Sequence, residues 1–451
     1  MPSAQQAEPS LGVKSVAFAA LLCLYLAPPA FGQAALDPMQ DAFAAMMANP
    51  GQPDLALRYA QLAAAQGDAR AAIAALERVL RINPSLDNIR LELASLHLAA
   101  GSPDLAAAYA REALSSPNIP PDVAQRARLL MARAERGAAR STLDVRLNAG
   151  LRYDSNANEA TALRSVPVFV PVLQDVAAVP TAVRGRSDWS LVLGASAEHR
   201  YDLGLQRNGS WDTNAALYEQ RFARIPRGYD LSIATLDTGP RFDVADGDSA
   251  RLTLRPFVTA SWIGYGGETY TWLYGGGLTA QLALARNWSV ELTWLGRFGN
   301  YENSNFRPRA REITGAEQIM TAGLFYALSS QTRMSAAVSY TDADAREPWW
   351  ARSGLGAALA VSSVLPISTS LEVGTSARLG VRRLRFDAPD PFIDPTQSRR
   401  DTRWEAGASL QLPVAPSVML TLDYEWYEQN SNYGFYEYGN HAVMLGVRVL
   451  L

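Results

Sequence analysis

Three histidines, His97, His199 and His441, and a single cysteine, Cys23, bound the chemistry open to this chain. A hydrolytic triad needs a histidine beside a serine and an acid to orient it. A thiolate zinc site needs several cysteines. No metal-ligand spacing, phosphate-cradling glycine loop or nucleophile elbow occurs. His199 and His441 fall on alternating segments, at positions that share a face with aliphatic residues, and His97 falls on a helix where packing accounts for it. The reading is a protein without catalysis, cofactor or metal.

What remains is charge at alternate positions. Arg146, Arg152, Glu198, Arg200, Arg255, Glu291, Arg297, Glu372, Arg378, Arg403, Glu405, Glu425 and Arg448 all sit opposite an aliphatic face. Their mixed signs suit ion pairs around a hydrated lumen. The simpler account is mutual satisfaction of interior groups. A charge pattern that selects a substrate is the functional alternative.

A period of two must position these residues. Leu143, Val145, Leu147, Ala149, Leu151 and Tyr153 alternate with Asp144, Arg146, Asn148, Gly150 and Arg152. The same pattern predicts strands over 142–153, 188–201, 208–222, 229–242, 250–264, 269–285, 287–302, 313–328, 331–342, 350–363, 367–385, 400–413, 416–431 and 437–451. Such segments are longer than the usual five or six residues and suit strands that cross a bilayer. Trp and Tyr cluster towards the ends of the aliphatic face, as in the aromatic girdles of outer-membrane barrels. Fourteen is an even number, and lipid forces closure because it offers an edge strand no hydrogen-bond partner. With the first strand starting on the periplasmic side, the long connections (154–187, 303–312, 386–399) face outward and the short ones inward. The fold class is therefore a short α-solenoid followed by a 14-stranded antiparallel transmembrane β-barrel.

The first and last strands must meet to close such a cylinder. Tyr153, Asp154, Ser155 and Asn156 end the first strand, and Ser431, Asn432 and Tyr436 belong to the last outward hairpin. Asp154, Asn156 and Asn432 are ordinary turn formers. The two segments also form a candidate outer-rim motif at the seam, able to bind cargo or to open sideways.

Residues 37–139 are rich in Ala, Leu and Arg with helical periodicity. A shift of 34 residues aligns Ala60 with Ala94, Gly67 with Gly101, Ala72 with Ala106 and Leu80 with Leu114. Thirty-four is the tetratricopeptide period. Repeats are expected at 53–84 and 87–118, after a helix at 38–48 and before a last helix at 121–138. They offer either a groove for a peptide or a spacer. Residues 1–32 have the form of a secretory signal: Lys14, an apolar run from Val16 to Leu26, and Ala30-Phe31-Gly32 before Gln33.

Composition narrows the function further. Forty-one basic and forty-four acidic residues leave a net charge of -3, without the basic excess that nucleic-acid binding needs. At 48% hydrophobic residues the chain is not a disordered one.

Gly150-Leu151-Arg152-Tyr153-Asp154-Ser155-Asn156 after the first strand, and the stretch from Ser431-Asn432 to Tyr436-Glu437-Tyr438 before the last, resemble segments of the surface lipoprotein assembly modifiers. With the signal, the short repeat array and the barrel, the resemblance covers nearly the whole mature chain. It implies a monomeric outer-membrane translocon without a cofactor. Such a protein carries lipoproteins or related secreted proteins to the surface. The periplasmic repeats would engage cargo or a periplasmic chaperone, and lipid would surround the barrel. A polysaccharide exporter or solute pore, and a surface adhesion protein acting through 154–187, are the alternatives.

Overall fold

The structure, a computed structural model, describes residues 38–451 apart from 118, 171–174, 182, 206–208, 248–249, 285–286 and 369–370. The expected signal at 1–32, with Cys23, lies outside the described residues. The described chain divides between Ala138 and Ala139 into two compact units.

The first unit is helical: α1 Pro38–Ala48, α2 Pro53–Gln66, α3 Ala69–Ile82, α4 Asp87–Ala99, α5 Pro103–Leu114 and α6 Pro121–Ala138. Local chemistry sets its boundaries. Proline opens α2 and α5 at the first turn, where its missing N–H costs nothing. The Asp68 carboxylate accepts from Ala71 N at 2.9 Å and caps α3. Gly67 and Gly101, at φ 81° and 73°, end α2 and α4 in the left-handed region that a Cβ disfavours. Ala60, Ala94, Ala72 and Ala106, aligned by the 34-residue shift, are at most 2% exposed, so helices approach closely at equivalent points of two hairpins. Leu76, Leu91 and Leu93 fill the space between helices. His97 is buried in α4 and stacks on Tyr109, with centroids 5.4 Å apart.

The second unit contains β1 Ser141–Asp154, β2 Ser165–Val170, β3 Asp175–Pro180, β4 Asp188–Asp202, β5 Ser210–Phe222, β6 Leu231–Asp246, β7 Ala250–Tyr265, β8 Glu268–Leu284, β9 Trp288–Tyr301, β10 Gly315–Ala327, β11 Thr332–Ala343, β12 Arg352–Ser368, β13 Leu371–Phe386, β14 Arg400–Ala415, β15 Val418–Ser431 and β16 Tyr438–Leu450. Among the described residues, fourteen of them close into one antiparallel barrel, with β1 paired to both β4 and β16. Leu143, Leu147, Leu151, Leu191, Leu193, Leu292, Leu359, Leu379 and Leu445 point outward and stay exposed, as a lipid-facing surface requires. Trp189, Trp272, Trp288, Trp294 and Trp404 lie on the same face. Among the described residues no helix is long and apolar enough to cross a membrane.

Two details depart from the sequence reading. The segment 154–187 holds a two-stranded sheet, β2 with β3. Its prolines, Pro167 and Pro180, argue against central strands, and an isolated pair has edges to spare for them. The connection expected at 364–366 shifts, because β12 runs to Ser368 past an irregularity between Pro366 and Ser368; a bulge tolerates the proline that a regular ladder would exclude. One end of the barrel carries the long connections 155–187, 302–314 and 387–399, and the other carries short ones such as 328–331 and 416–417.

Candidate functional site

The site is the barrel interior, its closing seam and the loops at the long-loop end. Alternation turns Arg146, Arg152, Glu198, Glu291, Arg297, Arg403, Glu405 and Arg448 inward, because their odd- or even-numbered neighbours are the exposed aliphatics. Most find partners on adjacent strands. Arg146 pairs with Glu198 across β1 and β4. Arg297 meets Glu317 at 2.6 Å, and Arg352 reaches the same carboxylate at 3.4 Å. The Arg448 Nε donates to Asn148 Oδ1 at 2.9 Å. Arg403 lies 3.8 Å over the Tyr427 ring and 4.0 Å from Glu405. Such half-exposed pairs are individually worth little. Their sum keeps both signs along the wall.

Glu291 forms no ion pair among the described residues. It lines two hollows towards the short-turn end, of about 920 and 410 Å³, and Gln281 lines both with it. Glu198, Arg200, Asp212, Arg241 and Arg255 also line the smaller one. This wet, mixed-charge wall suits passage of a polar chain, with no strong preference for either sign.

The seam between β1 and β16 differs from the other ladders. Its register joins nine residue pairs, Arg146–Leu450 to Asp154–Ala442; the other barrel ladders among the described residues join eleven or more. Gly150 stands opposite Gly446. A Cβ on Gly150 would come within 3.0 Å of Leu445 O, and one on Gly446 within 2.9 Å of Ala149 O. Close approach at mid-seam therefore needs glycine on both strands.

The first rim segment splits by alternation. Tyr153 turns outward onto Trp189, with centroids 5.2 Å apart. Asp154 turns inward and is 3% exposed. Arg152 bridges Asp154 at 3.0 Å and Glu425 at 2.7 Å, and Arg378 completes the chain on the other Glu425 oxygen at 2.7 Å. Asn440 of β16, which the sequence reading passed over, is the hub of the seam. Its Nδ2 donates to Asp154 Oδ1 at 2.7 Å. Its Oδ1 accepts from Asn156 N at 2.9 Å and from Ser155 Oγ at 3.2 Å. The sequence signal for Asn440 is its place on the same alternate row of β16 as Arg448, opposite His441, Val443 and Leu445.

The expectation that both rim segments lie together at the seam changes accordingly. Asn432 and Tyr436 brace the loop 387–399 instead, and Ser431 stabilises its own hairpin. Asn432 accepts from Arg400 N at 2.7 Å and donates to Ser398 O at 3.0 Å. Ser431 Oγ accepts from Tyr433 N at 3.1 Å. Arg399 lies 3.2 Å over the Tyr436 ring and 4.5 Å over Phe386. Register explains the difference, since Ser431 pairs with Asp401 of β14 and not with β1.

Further contacts knit the long-loop end into a cap. The buried Tyr433 hydroxyl accepts from Asp390 N at 3.0 Å and donates to Gln397 O at 2.5 Å. Phe169 N donates to Ile393 O at 2.7 Å, tying 155–187 to 387–399. The Arg307 Nη1 reaches Gly228 O at 3.0 Å, while Arg309 packs 4.3 Å from the Phe392 ring centre. Connection 302–314 thus grips loops on both sides of it. The lumenal Tyr427 hydroxyl donates to the Glu159 carboxylate at 2.6 Å; Glu159 alone among the described non-glycine residues has a positive φ, 47°. That conformation costs roughly 1 kcal/mol, so the loop bends against its preference to place this carboxylate.

Glu312 anchors the cap. It accepts from Arg309 Nε at 2.7 Å, Trp350 Nε1 at 2.9 Å and Trp349 Nε1 at 3.2 Å. Burial pushes its carboxyl up, but these three donors outweigh burial and hold it below the ordinary glutamate range. A depressed folded-state value contributes stability above the unfolded value, about pH 4.3, and that stability is lost as pH falls through the folded value. Acidification from pH 7 to pH 3 is expected to speed proteolysis within 302–314 and 344–351 before the barrel unfolds. Cleavage at equal rates at both pH values would refute this role for Glu312.

His199 and His441 take the outward face. His199 Nε2 lies 2.9 Å from Ser141 Oγ and His441 Nδ1 lies 2.9 Å from the Tyr424 hydroxyl. Among the described residues no acid orients either ring. No group of three His, Cys, Asp or Glu side chains among the described residues could hold a metal ion.

A loop-deletion mutant of OmpT, an outer membrane protein of Vibrio cholerae, shares 7% identity at TM-score 0.34, covering 69% of this chain and all of that one. The outer membrane channel DcaP of Acinetobacter baumannii shares 10% at TM-score 0.36, covering 69% and 97%. The globular C-terminal domain of LpoP from P. aeruginosa shares 28% at TM-score 0.17, covering 22% and 82%. The barrel assignment rests on strand pairing rather than on these likenesses. No curated protein matches the chain. The sequence profile described as surface lipoprotein assembly modifier matches residues 143–448, from the first barrel strand to the last. With an aliphatic exterior, a charged interior and closed strands, the chain is an outer-membrane β-barrel and belongs to the surface lipoprotein assembly modifier family.

Proposed function

We propose that the protein is itself the translocon that carries lipoproteins, or related secreted proteins, across the outer membrane to the cell surface. The helical unit lies in the periplasm and receives cargo or its chaperone. The barrel supplies the path, by its lumen or along the β1–β16 seam, without catalysis. The observation that carries this reading is the family match over the whole barrel. The short, glycine-paired seam and the wet lumen support it. The interlocked cap favours a conduit that stays shut until cargo engages it over a steadily open solute pore. Energy comes from folding or capture of the cargo outside, since no nucleotide motif is present.

Co-expression with a lipoprotein encoded beside it, followed by protease shaving of intact cells, tests the proposal. The lipoprotein is expected to become protease-sensitive only when this protein is present. Unchanged protection of the cargo, together with a steady open conductance in planar bilayers, would replace the translocon with a solute pore.

A further inference from the structure

Three arginines stand on the lipid-facing side of β13 and β14, beside the long loops. Inward positions on β13 are even-numbered, so Arg383 and Arg385 continue the outward row of Leu379. On β14 the outward row is even-numbered and runs from Trp404 up to Arg400. Arg385 and Arg400 are direct cross-strand partners, and Arg383 lies one step along the same face. Strand spacing puts the three Cα atoms within roughly 8 Å of one another. All three residues are exposed.

Like charges directly opposite across a ladder repel. Nothing on the protein neutralises them: among the described residues none of the three forms an ion pair. The outward neighbours at these levels are Ser353, Thr402, Leu355 and Asn430. The nearest outward carboxylates are Asp387 just beyond β13, Glu428 beside Trp404, and Asp342, two strands and roughly 10 Å from Arg385. None is within ion-pair distance of an arginine of the trio. The cluster sits at the top of an apolar band that includes Leu355, Leu359 and Trp404, where long cationic side chains reach for the headgroup layer. A guanidinium fork matches phosphate oxygens in pairs.

We infer that Arg383, Arg385 and Arg400 form a binding site for the phosphorylated headgroup of an outer-leaflet glycolipid, whose acyl chains lie along the aliphatic face below. The inference rests on the orientation proposed above, with the long loops outside. Binding in detergent does not depend on that orientation, whereas antibody access on intact cells to an epitope inserted near residue 185 tests it separately.

The test uses the full chain purified in a neutral detergent and lipid A carrying two phosphates. Binding to the wild type is expected, with about a hundredfold weaker binding to the R383Q/R385Q/R400Q variant, at about 1 kcal/mol per arginine near an anionic surface. Lipid A stripped of phosphate should bind the wild type as poorly as intact lipid A binds the variant. Millimolar inorganic phosphate should not displace the bound lipid. Equal binding of phosphorylated and stripped lipid to the wild type would overturn the site without recourse to any variant. Equal binding by a variant that retains heat-modifiable mobility would do the same. Full displacement by inorganic phosphate would reduce it to a simple anion site and overturn the lipid assignment.

Discussion

Removal of residues 38–138 is expected to lower surface display of a cargo lipoprotein by about tenfold or more while the barrel stays folded. The helical unit has its own core around Leu76, Leu91 and Leu93. Every ladder that closes the barrel joins residues within 141–450. The barrel should therefore keep its heat-modifiable mobility without the helices. In the proposed function, linking a cargo-binding unit to the barrel in one chain raises the local cargo concentration, and the gain from such linkage commonly exceeds tenfold. Cargo display by protease shaving, normalised to folded barrel, is the measurement. Undiminished display would make the helical unit a spacer.

The second large effect falls on stability. Arg152→Leu is expected to destabilise the closed barrel by about 3–5 kcal/mol, because removing one member of a buried pair strands the other. Asp154 is 3% exposed and would keep only Asn440 as a partner. Glu425 would keep Arg378. Adding Asp154→Asn removes the stranded charge and should recover part of the loss. The urea midpoint for the mobility shift reads both effects. A midpoint like the wild type's for the single variant would show the Arg152 network to be ornamental. Recovery in the double variant separates charge burial from loss of packing.

Much of this architecture is legible in the sequence, for identifiable reasons. A strand that crosses lipid must alternate, so its ends show where the alternation stops; the expected spans for β1, β4, β7 and β9 differ from the observed ones by a residue or so. The lumenal arginines were legible by the same rule. Their acidic partners were read less completely: Glu317, Asp212 and Asp237 pair with Arg297, Arg200 and Arg255, and each lies on a different strand from its arginine. Cross-strand register, not strand identity, chooses such partners. The β2–β3 sheet was missed because its prolines break the local strand signal. The cap was missed because Arg309, Glu312, Trp349 and Tyr433 come from three separate connections and converge only after closure.

Alone, the order of residues along the chain determined a cylinder, greasy outside and charged within, preceded by paired helices. Period two and period 34 are properties of the string, and burial against lipid or a neighbouring helix enforces them locally. Tertiary structure decided which carboxylate each arginine meets, that Asn440 rather than Asn432 holds the seam, and that three arginines face outward side by side without an anion. Those outcomes depend on distances between segments remote in sequence. Only the closed hydrogen-bond register, which ties residue 146 to residue 450, sets those distances.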